Sequence, residues 1–131
     1  MDRLLARVIG AITLLFGVAG FLPWITTDGV MLGTFTTNVW HNLLLVSAGV
    51  YGLAAGFSRH TRAKTYFQTL TMVFGVIGVT GLILPSPLLG LIAVDRAGSA
   101  THLLLAALGL YFGFIHTSTP PEPPQSPPSH D

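Results

Sequence analysis

The chain has 131 residues, a net charge of +1 at pH 7, 50% hydrophobic residues and only 8% charged ones, with a mean hydropathy of +0.67. A soluble domain carries about 25% charged residues, so this composition excludes an ordinary globular fold. Six Lys and Arg residues make no phosphate-tracking patch, which excludes a nucleic-acid partner, and the lack of cysteine removes disulfides, thiolate metal sites and cysteine nucleophiles.

The few charges divide the chain into long uncharged runs: Arg7 to Asp28, Asp28 to Arg59, Lys64 to Asp95, and Arg96 to Glu122. Each is about 20 residues or longer, the length a helix needs to cross the hydrocarbon of a bilayer. In chain order they predict an all-α polytopic membrane protein of four spans. The first covers residues 4–22, closed by Pro23 and Trp24, and the second covers residues 40–57. The third covers residues 66–84, where Pro85 and Pro87 forbid continuation, and the fourth residues 97–116. Helices are required because lipid offers free backbone groups no partner, and the ten-residue alternation of a membrane barrel is missing. Two apolar connectors, "TTDGVMLGTFTTN" and "PSPLLGLIAVDRAGS", read as short helical or re-entrant pieces at the membrane interface, and "SRHTRAKT" as a basic turn. Residues 119–131 hold six of the nine prolines and read as a disordered cytoplasmic tail with polyproline II character.

An internal repeat runs through these elements. "FGVAG" at Phe16–Gly20 recurs as "FGVIG" at Phe74–Gly78, "MLG" at Met31–Gly33 as "LLG" at Leu88–Gly90, and "GLAAGF" at Gly52–Phe57 as "GLYFGF" at Gly109–Phe114. The last two pairs share an offset of 57 residues, which also sets Asn38 against Asp95. Three matches in order point to a duplicated helical hairpin, with both copies entering the membrane from the same side. Arg3, Arg7 and the small residues of "GVAG" have the outline of a cleavable signal peptide, but a motif shared with the third span argues that the first span is retained.

Arg3, Arg7, Arg59, Arg62 and Lys64 fall on one side of the four spans and only Arg96 on the other. The positive-inside rule then places both termini in the cytoplasm and Trp24 and Trp40 at the outer interface. Gly52 and Gly56 form GxxxG on the second span, and Gly109 and Gly113 form it at the matching place on the fourth. Small residues on one face let helix backbones approach, so these four read as packing positions, within one chain or between copies.

No Asp, Glu, Lys or Arg lies within a span, which weighs against a pump or coupled transporter. Asn38 and Asp95 each precede a span and suit the N-cap position; a shared cation site with Asp28 is the alternative use of the same oxygens. His41 and His102 both belong to the outward halves of their spans. They read as neutral interfacial histidines beside the connectors, with no convergence of their nitrogens; the alternative is a haem or transition-metal clasp. Asn38, His41, Asp95 and His102 thus form one outer polar group. No HExxH, nucleophile elbow or phosphate loop is present, so no enzyme and no resident cofactor is expected.

"LGTFTTNVWHNLLLVSAGVYGLAA", the basic turn, a further apolar run and "LLGLIAVDRAGSATHLLLAALGL" together resemble the small bacterial integral membrane proteins of domain of unknown function 4383, over roughly residues 5–115. The most specific part is Asn38, His41 and Asn42, then Gly49, with His102 in the second half. In the family pattern a second histidine often follows the His-Asn pair by one turn, where this chain has Leu45. The resemblance implies four spans in a bacterial inner membrane and no particular activity. Together these readings predict a structural or accessory envelope protein whose partners are the bilayer and either its own copies or another membrane protein. The rivals are a small oligomeric transporter or channel, and a haem or metal protein using His41 and His102.

Overall fold

The structure, a computed structural model, describes residues 1–116, so the proline-rich segment 119–131 lies outside the described residues. Four helices dominate: α1 (Asp2–Ala19), α2 (Val39–Phe57), α3 (His60–Ile83) and α4 (Arg96–Leu110), the last continued by a π-helical turn at Tyr111–Ile115. Between α1 and α2 lie three two-residue strands, β1 (Thr26–Thr27), β2 (Val30–Met31) and β3 (Phe35–Thr36).

Three helical segments are long and apolar enough to cross a membrane: Val39–Phe57, Thr61–Ile83 and Arg96–Ile115. By the same measure α1 falls short of the fourth predicted span, because its 18 residues include Asp2, Arg3 and Arg7. Large apolar side chains point outward along the bundle, among them Leu15, Met72, Val76 and Leu104. A water-facing surface rarely carries so much contiguous hydrocarbon; a lipid-facing one requires it.

Two expectations are corrected. The first connector is not helical. Thr27 pairs with Val30 and Met31 with Phe35 in a small antiparallel sheet, β1–β2–β3. Its first turn is Asp28-Gly29 with φ of 51° and 76°, the left-handed pair that a two-residue hairpin needs. The second connector is irregular, with one isolated bridge between Leu88 and Ile92. The predicted basic turn is the second correction: α3 starts at His60, so Arg62 and Lys64 lie in its first turns. Ala63 between them is fully buried, on the face that continues through Tyr66, Phe67, Leu70 and Phe74. Long basic side chains can leave the core while their backbone stays helical, which is why the charge run does not end the helix.

α1 packs chiefly against α2, and α3 against α4. Glycines make these contacts backbone to backbone. A Cβ added to Gly49 would sit 2.4 Å from the Leu14 amide nitrogen, one on Gly10 2.7 Å from that of Leu53, and one on Gly17 2.6 Å from that of Val46. On the other pair, a Cβ on Gly109 would lie 2.6 Å from the Phe67 carbonyl oxygen and one on Gly113 2.8 Å from the Gln68 nitrogen. Helices this close gain dispersion along their whole length, the main attraction left once water is gone.

The two connectors meet at one end of the bundle. The Thr36 amide donates to Asp95 Oδ2 at 2.6 Å, and Asn38 Nδ2 donates to the Leu91 carbonyl at 2.6 Å. At the opposite end, Arg7 Nε donates to the Gly56 carbonyl at 2.9 Å, and Asp2 lies 3.5 Å from His116 Nε2.

Candidate functional site

The N-termini of α2 and α4 form the site. Asn38 caps α2, its side-chain oxygen accepting from the His41 amide at 2.9 Å, and Asp95 caps α4, accepting from the Gly98 amide at 2.7 Å. The N-cap reading of both residues holds, and each also reaches across to the other connector. Asp95 therefore serves two elements. Its partial burial raises the carboxyl pKa, but hydrogen bonds from the Gly98 and Thr36 amides outweigh that and hold it below the ordinary 3.8. Beside the cap, the Thr37 hydroxyl donates to Asn42 Oδ1, and Asn42 fills the space over Gly20 at the end of α1.

These ties bring His41 and His102 together. The Nε2 atoms lie 3.2 Å apart, with ring centroids at 5.2 Å and planes at 78°. His102 stacks on Phe74 at 5.0 Å. Both histidines are buried, at 4% and 3% exposure, and His102 lies about 9 Å along α4 from Arg96 at 1.5 Å per residue. The expectation of two separate histidines is corrected: their nitrogens meet, at hydrogen-bond distance rather than around an empty metal-sized gap. The physical reason is the connector tie, which fixes the first turn of α2 against the second turn of α4.

Hydrogen-bond chemistry shows what this pair costs. With two neutral rings, one Nε2–H donates and the other Nε2 accepts, so the accepting ring carries its proton on Nδ1 and the donating ring leaves Nδ1 bare. His102 Nδ1 is buried with no hydrogen-bond partner among the described residues, and the His41 ring has, besides His102, only a weak interaction with the Thr36 backbone. The single bond contributes about 0.5–1.5 kcal/mol, whereas each orphaned buried group costs about 1–3 kcal/mol. The pair does not stabilise the fold.

A half-open apolar cavity of about 250 Å³ lies beside the pair, between α1 and α4, walled by Ile9, Phe16, Leu105 and Leu108 and roofed by Met31 and Phe35. Two imidazoles on opposite sides of a haem iron need nitrogens about 4 Å apart, twice a metal–nitrogen bond of about 2.0 Å, with the macrocycle between them. A separation of 3.2 Å and a cavity this small do not fit haem. Among the described residues no third His, Cys, Asp or Glu joins the pair.

The predicted outer polar group therefore divides in two: a capping tie of Asn38 and Asp95, and a buried pair of His41 and His102. Gly52 faces the Tyr66 ring and Gly10, while Gly56 faces Arg3 and Arg7. Sequence reasoning passed over Met31, whose flanking turn glycines marked a folded connector, and Gly10 on α1.

These features define a mostly helical protein with three helices able to cross a membrane. A family model described as a domain of unknown function (DUF4383) matches residues 3–115, and the chain belongs to that family. No curated protein and no solved structure matches it.

Proposed function

We propose that the chain is a four-span protein of a bacterial inner membrane, built from two repeated hairpins with both termini cytoplasmic, and that its role is structural or accessory rather than catalytic. One observation carries this reading: both helix pairs use the same contacts. Residues of α2 and α4 that correspond lie 57 positions apart, and their partners on α1 and α3 lie 61 apart. Gly56 meets Arg7 as Gly113 meets Gln68, and Val46 meets Gly17 as Leu103 meets Gly78. Asn42 meets Gly20 as Ser99 meets Gly81. Arg7 Nε donates to the Gly56 carbonyl, and Gln68 Nε2 donates to that of Gly113 at 3.1 Å.

The connectors follow the same offset. Met31 pairs with Phe35 as Leu88 bridges Ile92, and positive φ recurs at Leu32-Gly33 and Leu89-Gly90. The second connector is four residues shorter between matching contacts and has no counterpart of β1. This register differs from the offset of 58 suggested by "FGVAG" and "FGVIG": the contacts match Gly17 to Gly78 and Gly20 to Gly81.

Gly52, Gly56, Gly109 and Gly113 are, on this reading, packing residues within one chain. Two hairpins held backbone to backbone suit a stable scaffold in the bilayer. Two of the side cavities are lined mainly by apolar side chains, which favours this role over a channel, and a third, at the basic end, is lined by Ser58, Arg62 and Thr65. Proteoliposomes test it. Ion and small-solute flux should match that of empty vesicles, while native purification should yield a stoichiometric membrane-protein partner or homo-oligomer. Flux that scales with protein content would overturn the proposal.

A further inference from the structure

We infer that His41, His102 and Met31 form a binding site for one monovalent copper ion. This goes beyond the scaffold role, and only its comparison of the two halves rests on the proposed repeat. The geometry starts from the two Nε2 atoms: once the donating ring moves its proton to Nδ1, a separation of 3.2 Å lets both nitrogens subtend about 100° at a metal bound at about 2.05 Å. Neutral imidazole is the ligand form for zinc, copper, iron and nickel. Both side chains are already desolvated, so binding adds no further burial of the ligands.

The third donor selects among those metals. Met31, 3% exposed, lines the same cavity as the two histidines, and no carboxylate or thiolate joins them among the described residues. A thioether favours Cu(I) over harder ions. Charge favours it too. The donors are all neutral, the cavity beside them is mainly apolar, and Asp95 is the one carboxylate that acts on His41. The cost of burying an ion rises with the square of its charge, and a single negative charge nearby matches a monovalent ion better than a divalent one. A divalent ion would need compensating anions at the site; a monovalent one needs far less.

The residues 57 positions away sharpen the case. His41, His102 and Met31 correspond to Gly98, Leu45 and Leu88, so the matching position in the other half holds no donor atom. The fold therefore works there with apolar residues. Two imidazole nitrogens in contact and a thioether residue lining the same cavity occur on one side only.

The full-length protein in detergent tests the site, with Cu(I) presented anaerobically in competition with a chromogenic Cu(I) chelator. One equivalent should bind, and X-ray absorption should show two nitrogen scatterers and one more distant sulfur. Stoichiometric binding should be lost in the His41→Leu/His102→Leu double variant. Its melting temperature without copper should equal or exceed that of the parent, which separates loss of the site from loss of the fold. Met31→Leu should weaken binding at least about tenfold, as loss of a metal's supporting group does elsewhere. Failure of the parent to hold copper against the chelator, or unchanged binding in the double variant, overturns the site. Scattering from nitrogen and oxygen alone overturns the role of Met31, and equal affinity for Zn(II) overturns the monovalent assignment. Because flux and partner copurification do not depend on copper, failure here leaves the scaffold proposal separately testable.

Discussion

At the scale of single residues, the polar groups at the connector end divide by what they do for stability. His41 and His102 exchange one hydrogen bond, orphan His102 Nδ1 and leave the other His41 nitrogen with no more than a weak backbone partner in Thr36. Replacing both partners by apolar groups of similar size removes the orphan along with the bond, a change that is nearly neutral or stabilising. The His41→Leu/His102→Leu variant should therefore melt in detergent at or above the parent, while His102→Leu alone should melt below the double variant, because it leaves His41 Nε2 buried without a partner. Asp95 acts in the opposite sense. Its cap and cross-tie should make Asp95→Ala cost about 1–2 kcal/mol near neutral pH. The folded-state pKa lies below 3.8, so the stabilisation is complete above that value and lost as pH falls through the lowered folded value. Melting curves of parent and Asp95→Ala should thus converge below about pH 3.8. A gap that stays constant to lower pH would show that the charge contributes nothing.

At the scale of elements, the helices were legible and the connectors were not. Charge gaps and proline stops marked α2 and the ends of α3 and α4, because those signals act locally on the backbone. Asn38 and Asp95 were recognisable as caps for the same reason. The β1–β2 hairpin was present in the sequence as Asp28-Gly29 but lay hidden within an apolar run that suggested helix. The histidine contact was legible only as the alternative of a haem or metal clasp, against the preferred reading of two separate interfacial histidines. It depends on two cross-connector hydrogen bonds between residues more than 50 positions apart, and no spacing rule predicts those. The glycines separate by mechanism. Gly90 has φ of +73° and open space around its Cβ position, so Gly90→Ala should cost only the left-handed penalty, about 1 kcal/mol. A Cβ on Gly52 or Gly109 would lie 2.6 Å from Tyr66 or from the Phe67 carbonyl. Leucine at either site should cost about 1–3 kcal/mol through overpacking. Equal melting temperatures for Gly90→Ala and the two leucine variants would remove the distinction between turn and seam.

At the scale of the whole molecule, the bundle has two chemically different ends, and that difference is the basis of the proposed orientation. Arg3 and Arg7 lie at the start of α1 against the end of α2, while Arg59, Arg62 and Lys64 surround the short step into α3. The other end carries Asp28, Asp95 and Arg96, with Trp24 and Trp40 largely exposed beside the connectors. Basic residues in short segments are retained on the cytoplasmic side, and indole rings settle at the interface. The proposed four-span arrangement requires the charged first two turns of α1 to stay in the cytoplasmic headgroups while residues 8–22 enter the hydrocarbon. Arg7 supports that arrangement, because its guanidinium already has a partner in the Gly56 carbonyl and lies 4.4 Å from the centre of the Phe57 ring. Single cysteines at two exposed positions test the orientation in intact cells. Thr34→Cys in the outer connector should react with an impermeant thiol reagent, whereas Thr61→Cys at the start of α3 should react only after the membrane is permeabilised. Labelling of Thr61→Cys alone in intact cells would mean that the molecule is inverted or that α1 lies on the membrane surface while α2 crosses. Labelling of both would mean that α2, the segment between the two positions, does not cross.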